Sequence, residues 1–154
     1  LRDDLRKAGD GHNNATLKRC IRESMRLHAV AAGGSIRECG RDFVTKDGKI
    51  IPKGSAVFLP FILQIRDSTV FGQDVDEYNP SRWMDPTPEM NSAFMPFSAG
   101  KQNCVGQSLA NAELHAIIPR IIERFELTLE DEGTTEYFLT LKPVNCILKA
   151  TPLK

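Results

Sequence analysis

The stretch from Gln73 to Ala99 constrains this chain more than any other. Pro80, Pro86, Pro88 and Pro96 deny it long helices and central strands, because each lacks the amide that a regular hydrogen-bond ladder needs. A compact domain seldom carries so long an irregular stretch without a use for it. This one runs straight into "FSAGKQNCVG", where Cys104 stands between Gly100 and Gly106 at the mouth of a helical pattern. The fold must therefore anchor a long irregular segment and present one thiol at its end. The composition allows it, since 154 residues with 41% hydrophobic and 26% charged side chains suffice for one domain with a buried core.

Lys plus Arg and Asp plus Glu balance at 20 each, so no net field argues for nucleic acid or an anionic membrane surface as a partner. No apolar run approaches the roughly 18–20 residues of a membrane span. The opening "LRDDLRKAGDG" has neither a signal-peptide profile nor an initiator Met, and we read the chain as a piece of a longer protein. Cys20, Cys39, Cys104 and Cys146 are too widely spaced for a zinc ribbon or a disulfide framework, which points to reduced thiols. His12, His28 and His115 show no ligand spacing with one another or with the cysteines.

Around the irregular stretch the patterns are regular. Residues 1–14 read as loop or partial helix, with Asn13 and Asn14 able to cap a helix over 15–32 on which Leu17, Cys20, Ile21, Met25 and His28 recur at helical steps. Alternation around Asp47-Gly48 and Pro52-Lys53-Gly54 predicts a small antiparallel sheet over 41–60, followed by one short helix over 61–66. Residues 73–106 read as loop. A helix follows over 107–127, with Leu109, Ala112, Ala116, Ile117, Ile121 and Phe125 on an apolar stripe and a bend at Pro119. A β-hairpin over 136–151 closes the chain. The fold class is mainly α with small antiparallel β-sheets, an α+β arrangement.

At the thiol, Gly100 permits a sharp turn with positive φ, and Gly106 permits a backbone or a flat object to approach closely beside Cys104. The amides opening the next helix favour negative charge on the sulfur, the form that ligates metals and attacks electrophiles. The residues alone leave two readings: such a thiolate, or an ordinary loop cysteine before an amphipathic helix.

Phe97-x-x-Gly100-x-x-x-Cys104-x-Gly106 resembles the haem-ligand signature of the cytochrome P-450 superfamily, the haem-thiolate monooxygenases. Glu23-x-x-Arg26 resembles that family's Glu-x-x-Arg pair, and Arg82 in "YNPSRW" resembles the third member of its Glu-Arg-Arg triad. All three motifs occur in the family's order. The resemblance covers about 17–153 and implies the C-terminal, haem-binding portion of the cytochrome P-450 fold, incomplete on its own. It implies haem b (iron protoporphyrin IX) as cofactor, with Cys104 as the axial iron ligand and Phe97, Gly100 and Gly106 around it. Glu23, Arg26 and Arg82 would form a structural clamp, and Arg37 would pair with a haem propionate. Gln102 stands where the family usually has a basic residue for a propionate. It can only donate a hydrogen bond, with Lys101 adjacent, so weaker or rearranged pairing is expected there. Ala29 replaces a proline common after "RLH", and Ile65 a His common before "RD".

The resemblance further implies monooxygenation of a small organic substrate with O₂, electrons from a flavoprotein reductase, and an endoplasmic-reticulum anchor upstream in a eukaryotic microsomal protein. Two alternatives carry different activities: a haem-thiolate isomerase or dehydratase of peroxides, and a truncated, non-catalytic haem-binding or interaction fragment.

Overall fold

The computed structural model describes residues 1–8 and 14–153; His12 and Asn13, named above, lie outside them. Helix α1 (Arg2–Ala8) and helix α2 (Ala15–Leu27) both lie against the long helix α6 (Gln107–Arg124). Leu5, Leu17 and Ile21 are fully or almost fully buried there, with Leu114, Ile118 and Ile122 packed on them. Arg2 adds a polar tie at the far end of α6, where its guanidinium donates to Ile122 O and Phe125 O at 2.9 Å each. A cation at a helix C-terminus meets the carbonyls that the helix leaves unpaired.

Asn14 caps α2 by accepting from Leu17 N at 2.9 Å. The helix ends at Leu27, five residues before the expected boundary of 32. The backbone beyond it is committed elsewhere: Val30 O accepts from Leu141 N, Ala31 O from Gly34 N, and Ala32 O from Ile62 N. Carbonyls already bonded to neighbouring elements do not need a continued helix.

The β region starts earlier than the expected 41–60 and divides in two. Strand β1 (Ser35–Glu38) pairs antiparallel with β4 (Ala56–Leu59), and β2 (Phe43–Val44) pairs with β3 (Ile50–Ile51). Two short helices follow, α3 (Phe61–Ile65) and α4 (Ser68–Phe71).

The segment 73–106, expected as loop, contains short helical turns. A 3₁₀ turn spans Pro80–Trp83, helix α5 spans Pro88–Ala93, and a second 3₁₀ turn spans Gly100–Gln102. Pro80 and Pro88 open their turns, where a missing amide costs nothing. Asn79 and Thr87 cap them with side-chain oxygens. Beneath the segment Phe71, Val75, Trp83, Met90 and Ala93 form their own buried cluster, so prolines that bar long helices here start short ones over a core.

Helix α6 continues through the buried Pro119 and stops at Arg124, and residues 125–127, expected as helix, open strand β5 (Phe125–Asp131). The expected stripe on α6 is also displaced. Leu109 is 64% exposed and Ile117 51%, whereas Leu114, Ile118 and Ile122 face the core. The helix has two apolar faces, and the position of α1 and α2 decides which is covered.

The expected 136–151 hairpin is replaced by a nested pair. Strand β6 (Thr134–Phe138) pairs with β7 (Thr140–Val144), while β5 pairs with β8 (Ile147–Pro152). Leu139 at φ 65° turns β6 tightly into β7, and Asn145 at φ 58° releases the chain toward β5. The strands flanking Pro143 to Asn145 therefore do not pair with each other. Among the described residues the architecture is α+β, helices together with four two-stranded antiparallel sheets.

Candidate functional site

Helical spacing puts Glu23 and Arg26 on one face of α2, and both are fully buried. Arg26 meets the carboxylate side-on, Nε to Oε2 at 3.0 Å and Nη2 to Oε1 at 2.9 Å. Arg82 arrives from the Pro80–Trp83 turn and donates Nε to Oε1 at 2.8 Å. Two more donors complete the shell: Asn79 N at 3.0 Å and the Trp83 indole at 2.8 Å. Burial by itself pushes the Glu23 carboxyl up. The bonds from Arg26, Asn79, Arg82 and Trp83 together outweigh it and hold the group below the ordinary glutamate range.

Both guanidiniums also bind backbone. Arg26 donates to Ile65 O at 3.1 Å, Val75 O at 2.7 Å and Glu77 O at 3.3 Å. Arg82 donates to Phe71 O at 2.5 Å and Asp74 O at 3.0 Å, and pairs with the Asp74 carboxylate at 3.0 Å. Burial lowers the Arg82 guanidinium's proton affinity, but Glu23 and Asp74 reverse the effect and hold it above the usual value. One carboxylate and two forks thus tie α2 to the last residues of α3 and α4 and to the backbone that follows them as far as the Pro80–Trp83 turn. Asp74, Trp83 and the Asn79 amide belong to this network and were not anticipated. Trp83 stood beside Arg82 in sequence, but no periodicity marks Asp74.

The depressed Glu23 carboxyl makes stability pH-dependent in a definite direction. The unfolded chain takes up this proton near the ordinary glutamate value of about 4.3, and the folded chain only below it. The contribution is therefore complete above that value and is lost as pH falls through the lower folded one. Thermal midpoints measured from pH 7 down to pH 3 should fall most steeply below about pH 4.5. A Glu23→Gln variant should show a shallower fall over the same window.

The thiol lies where the anchored segment ends. Cys104 N donates to Phe97 O at 2.8 Å, closing the loop that contains both, and Gln107 N donates to Cys104 O at 3.3 Å at the entrance to α6. Gly106, the N-cap residue of α6, has no side chain to occupy the first-turn amides, so the positive end of the helix dipole stands beside Cys104. The Cys104 side chain is exposed. Gly100 has φ 76°, with no atom within 4 Å of where a Cβ would stand. A Cβ on Gly106 would meet only the Cys104 sulfur, at 3.8 Å.

Phe97 is half-buried and, with Met25, Val30, Leu114 and Ile117, lines an open pocket of about 400 Å³ between α2 and α6. Cys104 does not line that pocket. Arg37, on β1, reaches the same loop and donates Nη2 to Ser98 Oγ at 3.3 Å, where Ser98 holds φ 62°. Gln102 and Lys101 are exposed in the 3₁₀ turn before the cysteine. Ala29 and Ile65 are both buried, together with Ala32, in a small apolar cluster. The structure thus brings Glu23, Arg26 and Arg82 into one network, and Phe97 and Cys104 onto one loop that Arg37 touches from β1. Among the described residues no group of three or more His, Cys, Asp or Glu is placed to hold a metal ion, and no helix is long and apolar enough to cross a membrane.

Comparison with known proteins adds an independent line. The family described as Cytochrome P450 matches residues 12–152. A benzoate 4-monooxygenase of Aspergillus niger is 36% identical over 121 residues, covering 75% of this chain and 23% of that protein. An ultra-long-chain fatty acid omega-hydroxylase of Homo sapiens is 38% identical over 113 residues, covering 72% of this chain and 21% of that protein. Cytochrome P450 4F6 of Rattus norvegicus is 36% identical over 151 residues, covering 88% of this chain and 27% of its own length. The chain spans about a quarter of the length of these relatives.

Proposed function

The chain belongs to the cytochrome P450 family, and from that membership we propose that Cys104 would hold haem b as its thiolate ligand in a monooxygenase of which these residues form the C-terminal portion. The observation that carries the reading is the setting of the thiol. It is a single exposed sulfur at the N-terminus of α6, with open space at Gly100 and only the sulfur itself within 4 Å of a Cβ at Gly106, on a segment clamped to α2. A prosthetic group that brings four ligands of its own needs one protein donor, and this donor set suits it. When bound, haem supplies the iron at which O₂ is activated for insertion of one oxygen atom into a small organic substrate.

The chain's own residues have separate tasks. Cys104 would hold the iron through sulfur, and the first amides of α6 would temper the charge on that sulfur. Phe97 covers one side of the loop. Arg37, now bonded to Ser98 at 3.3 Å, would be the residue to hold a haem propionate, and Gln102 would add one neutral donor. Glu23, Arg26 and Arg82 act as a clamp that orients the loop and take no part in proton transfer, since their polar capacity is committed to one another, to Asp74 and Trp83, and to backbone. A flavoprotein reductase as electron donor, and anchorage to the endoplasmic reticulum by a segment upstream, complete the proposal. Large exposed side chains, including Val105, Leu109, Phe58 and Ile117, support the view that further protein covers this portion.

The test uses the full-length protein loaded with haem, reduced and exposed to CO. The Soret band should be strongly red-shifted, and a Cys104→Ser variant should lose that shift entirely. Retention of the shifted band in the serine variant would exclude Cys104 as the ligand.

A further inference from the structure

Arg22 directly precedes Glu23 but does not join the clamp. Its guanidinium carbon lies 4.0 Å from the centroid of the Trp83 ring and 4.9 Å from that of Phe94. The two rings lie 5.0 Å apart, tilted by 59°. Nη2 donates to Asn91 Oδ1 at 2.9 Å, while Nε is buried without a protein partner. A guanidinium drawn out of water between aromatic faces is held by their electron-rich surfaces, and its edge stays free for a hydrogen bond. Burial holds its proton affinity below the usual guanidinium value, so the stacking must work against a desolvation cost.

Each contact lands on a different part of the irregular segment. Trp83 is in the first 3₁₀ turn, Asn91 is on α5, and Phe94 is the residue that ends α5. From Phe94 the chain passes to Phe97 and then Cys104, and a cavity of about 210 Å³ lies between Arg22, Phe94, Phe97 and the start of α6. The hydrogen bonds of the Glu23 network hold the upstream part of the segment, residues 74–83, and end at Trp83, whose indole donates to Glu23 while its ring carries the Arg22 stack. We infer that Arg22 is a second fastener beside the clamp: a positioning residue that holds Phe94 to α2 through a cation–π stack and so sets where residues 94–104 sit over α6. Its consequence for the cofactor rests on the reading of Cys104 as haem ligand. Its mechanical role does not.

The experiment compares Arg22→Met, which keeps the stem and removes the cation, with Arg22→Lys, which keeps the cation, in the full-length haem protein. Amide hydrogen exchange is followed across residues 94–104 and across the α2–α6 core at Leu17, Ile21 and Leu114. In the Met variant, exchange over 94–104 should accelerate about five- to tenfold while the core stays unchanged. Lysine should restore part of the protection, and the ferrous–CO spectrum of the Met variant should lose part of its shifted band to an unshifted one. Should Arg22→Met yield no folded protein, Phe94→Leu removes one stacking face and should give the same local pattern at smaller size. Equal acceleration everywhere, or no change over 94–104, overturns the inference. The Cys104→Ser spectrum is decided separately, so loss of the ligand reading would leave the exchange result to stand or fall alone.

Discussion

Replacing Glu23 with alanine is expected to cost the protein about 3–5 kcal/mol, enough to unfold many domains outright. The carboxylate accepts from Arg26, Arg82, Trp83 and Asn79, and it is fully buried. Removing it leaves the buried Arg26 with no carboxylate and Arg82 with Asp74 alone, together with an indole N–H and an amide without acceptors. Glu23→Gln keeps the volume but turns an NH₂ toward a cation, so it should recover little. Arg82→Lys should lose less, since an ammonium can keep the bond to Glu23 while giving up the fork to Phe71 and Asp74. Urea midpoints and retained haem of the full-length variants are the measurements. A Glu23→Ala protein within about 1 kcal/mol of the parent would remove the clamp from the account of how the cysteine loop is held.

Gly34→Ala is expected to be nearly as damaging, through the backbone alone. Gly34 sits at φ 88°, and a Cβ there would stand 1.8 Å from Leu59 O and 2.9 Å from Phe61 N. These are main-chain atoms at the end of the β1–β4 ladder, where Ser35 is registered with Leu59, so relief requires that pair to part. Left-handed strain of about 1–2 kcal/mol adds to the clash, and we expect a total loss of about 3 kcal/mol or more. Gly48→Ala supplies the control, because Gly48 has φ 81° but no atom within 4 Å of its Cβ position. It should lose only the conformational part, about 1 kcal/mol. Equal urea midpoints for the two variants would show that the approach to Leu59 does not matter.

These two effects differ in how far the sequence announces them. The ion network was half visible: Glu23, Arg26 and Arg82 fall in recognisable motifs, and their side chains do meet. Asp74 and Trp83 were not foreseen, because the segment that carries them has no period from which a contact can be read. Gly34 carries no sign in the sequence that Leu59 would approach it. The α2 boundary, the placement of the α6 face and the C-terminal strand pairing failed for a shared reason. Each depended on a partner distant in the chain: Leu141 at Val30, α1 and α2 at Leu114 and Ile118, and β5 at β8.

What the sequence determined alone was local. Helical spacing put Glu23 and Arg26 on one face, prolines confined 73–106 to short turns, and a cysteine was set between two glycines before a helix. Those are consequences of backbone geometry within a few residues. The tertiary structure decided which carbonyls would receive the arginine forks, which face of α6 would be covered, and that an arginine beside the clamp would stack on Trp83 and Phe94. Such choices are set by burial, since a charge or an apolar face removed from water must find its partner wherever the fold brings one.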